Sequence, residues 1–191
     1  METIAGYADG MNVVAGALLD PVAVAHENAT DRVNAWRGRC LSSFARIEMA
    51  VSEALLTLSV QPGGVALPHM FGQRIAALRG ATGVGSDAGE VIAALDAFVA
   101  HMPLRVFLTH GDARVTIGRD GGWQAVLTVL ALKRGGGEHS FLVIDEDEAQ
   151  RIARALGRDR QRLVTRLAQW RSAAAPMDKV GCLRVGGDSS A

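Results

Sequence analysis

The chain has 191 residues, of which 49% are hydrophobic, and its 20 basic and 20 acidic side chains cancel. This length and composition provide one sizeable core, so we predict a single domain. The balanced charge excludes an overall basic surface that would attract nucleic acid at long range, so any such affinity must come from local patches. Cys40 and Cys182 have no companion at a metal-ligand spacing, which is typical of reduced thiols inside the cell.

The two ends of the chain differ from its middle. The apolar run from Val13 to Leu19 follows no basic region and is too short to span a bilayer. We therefore expect neither a signal peptide nor a transmembrane helix, and we predict a cytoplasmic location. Residues 1–27 are predicted to form an arm or a short helix, whose role stays open. A single domain is predicted over 28–174, and a flexible tail over 175–191, where Pro, Gly, Asp and Ser predominate.

Apolar residues that recur at intervals of three and four predict amphipathic helices. Their predicted bounds are 28–60, 68–79, 87–102 and 145–172. The residues that signal their starts are Asn28, Pro68, Asp87 and Asp145. A short polar side chain can cap a helix, and proline fits its first turn. Pro103 is predicted to interrupt the third helix, so that a short segment begins a new turn after it.

The periodicity changes after Gly111, where β-branched residues become frequent. Three strands are predicted over residues 114–117, 123–132 and 139–144. The segment from Arg119 to Gly122 is typical of a hairpin turn between the first two strands. The predicted fold class is therefore mainly α, a helical bundle with a three-stranded antiparallel β-sheet inserted before the last helix (α+β).

The last predicted helix is the most basic element of the chain. Its candidate residues for contacts with a nucleic-acid backbone are Arg151, Arg154, Arg158 and Arg162. Phosphate neutralisation needs cations on one surface and not an overall positive charge. The alternative is an ordinary solvated helix face, because charge-rich helices are common.

One apolar segment, from Leu104 to Gly111, contains a single arginine and a single histidine. If this segment is helical, Arg105 and His110 are separated by about 140° of rotation and about 7.5 Å of rise, so both can border one groove without touching. Glu48 lies on the border of the apolar stripe of the first predicted helix. Its carboxylate is either solvated at the rim or the partner of Arg105 or His110.

The other histidines, His26, His69, His101 and His139, each lie singly near the end of a predicted element. No two of them have the i, i+4 ligand spacing within one helix, and no carboxylate accompanies them in a metal pattern. We therefore predict no metal and no cofactor. For His110, the alternative to a functional role is a structural histidine whose ring bonds nearby backbone.

The spacing of Arg105, four residues, His110 and a glycine resembles the signature of the HEPN domains (higher eukaryotes and prokaryotes nucleotide-binding). Many members of that family are metal-independent ribonucleases. The segments 44–48 and 71–78 precede the motif in the order that bacterial members often show. The resemblance covers roughly residues 30–111.

The resemblance implies cleavage of RNA by attack of the RNA's own 2′-hydroxyl on the adjacent phosphorus. It also implies a homodimer, because HEPN ribonucleases commonly pair two motifs. Arg105 would then bind phosphate and His110 would transfer protons, and Glu48 would be a group that orients these side chains. In many active members the residue after the arginine is polar, whereas here it is Val106. The alternatives are a catalytically inactive HEPN-like RNA-binding or protein-interaction module, and a bundle that binds a small molecule or nucleotide. A toxin–antitoxin or phage-defence setting, with an antitoxin or other protein partner, fits the resemblance, but the sequence identifies neither an antitoxin nor an RNA target or cleavage specificity.

Overall fold

A computed structural model of the protein describes residues 20–61, 63–82, 86–133 and 135–174. Its helices are α1 (Pro21–Ser59), α2 (Phe71–Ala81), α3 (Ser86–Val99), α4 (Met102–His110) and α5 (Glu146–Ala174). Its strands are β1 (Asp112–Ile117), β2 (Trp123–Lys133) and β3 (Gly136–Asp145). The predicted α+β layout is confirmed, since the chain is mainly helical and an antiparallel three-stranded sheet precedes the last helix.

The first helix begins at Pro21, and the predicted start at Asn28 is wrong. Asp20 caps this helix, because its Oδ1 accepts a hydrogen bond from the backbone N–H of Val22 at 2.9 Å, and Pro21 occupies the first turn. The predicted boundary after residue 27 is therefore wrong as well, since the residues on both sides of it belong to α1. Residues 1–19 of the predicted arm and the predicted tail lie outside the described residues.

The second helix begins at Phe71, and the predicted start at Pro68 is also wrong. Pro68 lies before the helix, where its carbonyl oxygen accepts a hydrogen bond from Arg74 Nε at 2.8 Å. This hydrogen bond holds the segment before α2 against the first turns of the helix. The helix then continues to Ala81, beyond its predicted end at residue 79.

A break divides the apolar segment that contains α3 and α4. Helix α3 ends at Val99, earlier than predicted, and α4 begins at Met102 with Pro103 in its first turn. Proline is tolerated there because the N–H that it lacks has no partner within the helix. No single helix among the described residues is long and apolar enough to cross a membrane, while α3 and α4 meet that test only as a pair bent by 42°.

The sheet has the order β1-β2-β3 with antiparallel neighbours, and Ile117 pairs with Trp123 where the first hairpin closes. In the turn, the backbone N–H of Gly118 donates to the carbonyl of Gly122 at 2.7 Å. Gly121 has a φ of 78°, which a residue without a Cβ adopts readily. The predicted hairpin is confirmed.

Helix α1 is the central element, because its apolar stripe packs against α2, α4, α5 and the inner face of the sheet. Trp36 contacts Trp123 of β2 at a centroid distance of 6.1 Å, and Phe44 contacts Phe98 of α3 at 5.5 Å. Of the buried side chains, those that are large and fully buried include Trp36, Phe44, Ile47, Leu55, Phe98, Leu127 and Leu163. This core places α4 and α5 on different flanks of α1.

Candidate functional site on helix α4

The C-terminal end of α4 is fixed by hydrogen bonds to its last carbonyl groups. The backbone N–H of Gly111 donates to the carbonyl of Phe107 at 2.9 Å. Arg37 of α1 donates through Nη2 to the carbonyls of Leu108 at 2.9 Å and of Gly111 at 3.0 Å. A cation at this end also favours the helix dipole. A Cβ at position 111 would lie 2.3 Å from the Phe107 carbonyl oxygen, so the glycine after the histidine has a structural reason.

One face of α4 points away from the core. Val106 is 47% exposed, and Thr109 and His110 are exposed too, whereas Leu108 is buried on the opposite side. The side chain of Arg105 lies at the edge of this face and is 35% exposed. Val106 and Thr109 lie between Arg105 and His110 on the helix surface, because the two outer residues are about 140° apart. Both candidate residues therefore border one exposed face, and within the described residues no hydrogen bond joins them.

Two contacts orient Arg105. Its Nη2 donates to Glu48 Oε2 at 3.5 Å, and its Cζ lies 5.5 Å from the centroid of the Phe71 ring. The first distance is long for a charge-assisted hydrogen bond and the second is a cation–π geometry, so each contact is weak and both direct the same group. A guanidinium has five N–H donors, and among the described residues Glu48 is the only hydrogen-bond acceptor of the Arg105 side chain. The remaining donors are available to an anion.

The carboxylate of Glu48 lies between two arginines. Besides Arg105 it accepts a hydrogen bond from Arg74 Nη1 at 3.4 Å, and its side chain is 33% exposed. Arg74 also donates to Ser52 Oγ at 3.0 Å and to the carbonyl of His69 at 3.0 Å. Of the two predictions for Glu48, the structure therefore bears out the partner of Arg105.

Arg74 also belongs to this site, and it is not among the site residues predicted from the sequence. Its side chain is 26% exposed and bridges α2 to α1. A signal was present in the sequence: Arg74 follows Phe71 by three residues and precedes Leu78 by four, which places it on the border of the buried stripe of α2. Its partner could not be identified from sequence, because Glu48 belongs to another helix.

His110 lies at the other edge of the exposed face. Within the described residues no hydrogen bond or ion pair of its imidazole is found, so the alternative of a ring bonded to nearby backbone gains no support from the structure. Glu48 contacts Arg105 and not His110, so this carboxylate does not orient the imidazole within one chain. The side chain of His110 is exposed to solvent at the last residue of α4.

The four candidate arginines of α5 form one exposed stripe, which comprises Arg151, Arg154, Arg158 and Arg162. Their spacing of three, four and four residues places them on one side of the helix. Arg151 pairs with Glu148, and Arg154 donates to the Gln150 carbonyl at 3.2 Å, so the contacts of this stripe stay within α5. The structure does not join the stripe to Arg105 or Glu48.

An apolar cavity of about 420 Å³ adjoins the Glu48 cluster, and Ser52 and Arg74 lie in its wall. Arg105 and His110 do not line it, so the candidate site is an open helix face beside a cavity.

Among the described residues, no group of three or more His, Cys, Asp or Glu side chains is placed to hold a metal ion. Comparisons of the chain with protein-family models, with curated proteins and with solved structures found no match.

Proposed function

We propose that the protein is a HEPN-like, metal-independent endoribonuclease that acts as a homodimer. One observation carries this proposal: an oriented guanidinium and a free imidazole border the same exposed face of α4. Arg105 has unused donors for phosphate oxygens, and His110 has both ring nitrogens available for proton transfer. Neither group requires a metal ion or a cofactor for this chemistry.

The reaction follows from the two side chains. The neutral imidazole of His110 accepts the proton of an RNA 2′-hydroxyl, whose oxygen then attacks the adjacent phosphorus. The bond from phosphorus to the 5′-oxygen breaks, a cyclic phosphate remains on the upstream fragment, and a protonated imidazole donates a proton to the leaving oxygen. Arg105 binds the non-bridging oxygens, on which negative charge increases during the attack.

This scheme uses one base and one acid, and the exposed face of α4 offers one histidine in each chain. A second copy that packs face to face would supply the second imidazole. Val106 supports such packing, since it is an apolar side chain exposed to 47% in the middle of that face. The exposed arginine stripe of α5 is proposed to bind the RNA backbone outside the cleavage site.

Cleavage of mixed RNA in the presence of a chelator tests the proposal. We expect His110→Ala to lower the cleavage rate by about a hundredfold to ten-thousandfold, since one proton-transfer group is removed. Arg105→Lys is expected to lose much of the rate, because an ammonium lacks the planar paired donors. The matched controls His139→Ala and Arg114→Lys change exposed residues of the sheet and should cleave like the parent protein. Unchanged cleavage by His110→Ala would end this proposal.

The second candidate is a catalytically inactive HEPN-like RNA-binding or protein-interaction module. It is favoured by Val106, which stands where many active members have a polar residue, and by the absence of a bond from Glu48 to His110 among the described residues. In that case RNA binding occurs without cleavage and is insensitive to His110→Ala. Arg158→Gln is then expected to weaken binding and to reduce its salt dependence by about one unit of slope.

A further inference from the structure

A separate group of arginines lies in the groove between α1 and α5. A cavity of about 280 Å³ there is lined by Arg39 and Arg46 of α1 and by Arg160 of α5, and we refer to it as the arginine cavity. Ser42 lies between the two α1 arginines along the helix and also lines it. No carboxylate is among the described residues that line this cavity.

The three guanidinium groups are not neutralised by the described part of the chain, where none of them makes a hydrogen bond or an ion pair. The adjoining cavity contains the carboxylate of Glu53, which is already paired with Arg171. Arginines that join helices elsewhere do have partners within the protein. Arg37 donates to the carbonyls of Leu108 and Gly111, and carboxylates pair with Arg32, Arg74, Arg79, Arg105, Arg166 and Arg171. The arginine cavity is therefore an exception to the way this fold treats arginines between helices.

The wall of the cavity also leaves space for a ligand. Gly157 of α5 lines it, and a Cβ built at that residue would meet no atom within 4 Å. A glycine in the middle of a helix is less stable than alanine, so the open space is kept against helix propensity. The Ser43 hydroxyl donates to the Arg39 carbonyl at 3.2 Å, so its hydrogen is already used. Ser42 is therefore the hydroxyl in this wall that can donate to a ligand.

We propose that the arginine cavity binds a phosphoryl group, either of free phosphate and nucleotides or of the 5′ end of an RNA. Guanidinium groups match phosphate oxygens with paired, directional donors. A phosphate monoester carries up to two negative charges, so three arginines favour it over a single carboxylate. The cavity does not depend on the proposed ribonuclease site, because Arg46 and Glu48 are 200° apart on α1 by helical geometry, about 100° per residue.

Calorimetric titration of the full-length protein with inorganic phosphate, at constant ionic strength with chloride, tests the proposal. We expect binding by the parent protein and an affinity about tenfold or more lower in Arg160→Gln, since bonds to a charged ligand are lost. Arg114→Gln is the matched control, because Arg114 is an exposed arginine of β1 that lies outside the arginine cavity and outside the stripe of α5. Absent binding in the parent, or equal affinity in Arg160→Gln and Arg114→Gln, would overturn the proposal.

A second variant separates the cavity from general charge effects. Gly157→Leu keeps all three arginines, fills the space and is expected to raise the melting temperature while it abolishes phosphate binding. Unchanged phosphate affinity in a folded Gly157→Leu protein would contradict the proposal.

The two ligand sources are distinguished by competition with one oligonucleotide in 5′-phosphate and 5′-hydroxyl forms. If the 5′-phosphate oligonucleotide competes more strongly than both inorganic phosphate and the 5′-hydroxyl form, the ligand is an RNA end. If the 5′-phosphate oligonucleotide competes only as strongly as inorganic phosphate, the ligand is free phosphate or a nucleotide. RNA cleavage by His110 is scored separately, so either proposal can fail without the other.

Discussion

Replacing Glu48 by alanine removes the carboxylate between Arg74 and Arg105. The two N···O distances are 3.4 and 3.5 Å, and the three side chains are 26% to 35% exposed. Pairs with this much exposure contribute about 0.2–1 kcal/mol each, and the two guanidinium groups left behind repel one another. We therefore expect Glu48→Ala to lower the free energy of unfolding by about 1–2 kcal/mol. For a chain of this size that corresponds to a fall in Tm of roughly 2–8 °C.

Glu53→Ala is the matched control for this substitution. Glu53 lies on the same helix, but its carboxylate pairs with Arg171 alone and its side chain is 50% exposed. Both substitutions give α1 the same small gain in helix propensity, so the difference between them reports the loss of the shared carboxylate. Urea and thermal denaturation followed by circular dichroism measure it. Equal losses in Glu48→Ala and Glu53→Ala would refute the account of Glu48 as a shared partner.

A third protein separates charge from shape. Glu48→Gln keeps the side-chain length and one acceptor oxygen, but it leaves Arg74 and Arg105 without an opposite charge. If the carboxylate acts through its charge, Glu48→Gln loses most of the stability that Glu48→Ala loses, and added salt reduces the difference from the parent. A Glu48→Gln protein as stable as the parent at low salt would show that packing, and not charge, fixes the cluster.

Three further predictions concern other parts of the molecule. Burial raises the pKa of the Cys40 thiol to about 11 from 9.0, an effect that the charge of Arg39 partly offsets. The resulting stabilisation is complete below pH 9 and is lost as the pH rises to 11, so Cys40→Ala should flatten that part of the pH dependence of urea unfolding by about 2–3 kcal/mol. Gly111→Ala should lower stability by about 1–3 kcal/mol in thermal melting because its Cβ meets the Phe107 carbonyl, whereas a matched alanine at an open helical glycine should not. Val106→Glu should convert a dimer to a monomer in light scattering, and a dimer that persists would exclude α4 as the interface.

The order and type of the elements could be predicted because they depend on local signals. The stripe of α1 recurs at intervals of three and four from Trp36 onward, and the turn before Trp123 has the glycines of a hairpin. The predicted helix ends were less accurate, because local signals for a helix start occur at more than one position. Asp20 and Pro21 form a cap signal as good as that of Asn28, but the weak periodicity before Asn28 gave no reason to extend the helix.

The candidate site was only partly predictable, because its contacts join residues that are distant in sequence. That Arg105 and His110 border one face of α4 follows from helical geometry alone, whereas the exposure of that face does not. The partner of Glu48 does not, since it depends on how α4 and α2 pack against α1, and that packing is set by buried residues such as Phe71. For the same reason the arginine stripe of α5 could be recognised in sequence, whereas its separation from Arg105 could not.

The geometry of α4 constrains how a second copy could complete the proposed ribonuclease site. Arg105 and His110 are separated by about 7.5 Å along the helix and point about 140° apart, so they approach one phosphate from opposite edges of the exposed face. In a twofold contact, residue i of one copy meets residue j of the other and the reverse. An axis that lies in the interface, passes between Val106 and Thr109 and is perpendicular to the line from Arg105 to His110 would bring His110 of each copy towards Arg105 of the other. The two exposed faces together would then contain one oriented guanidinium and one free imidazole from each chain, so that one imidazole can act as the base and the other as the acid, while Glu48 lies beside the arginine in each chain.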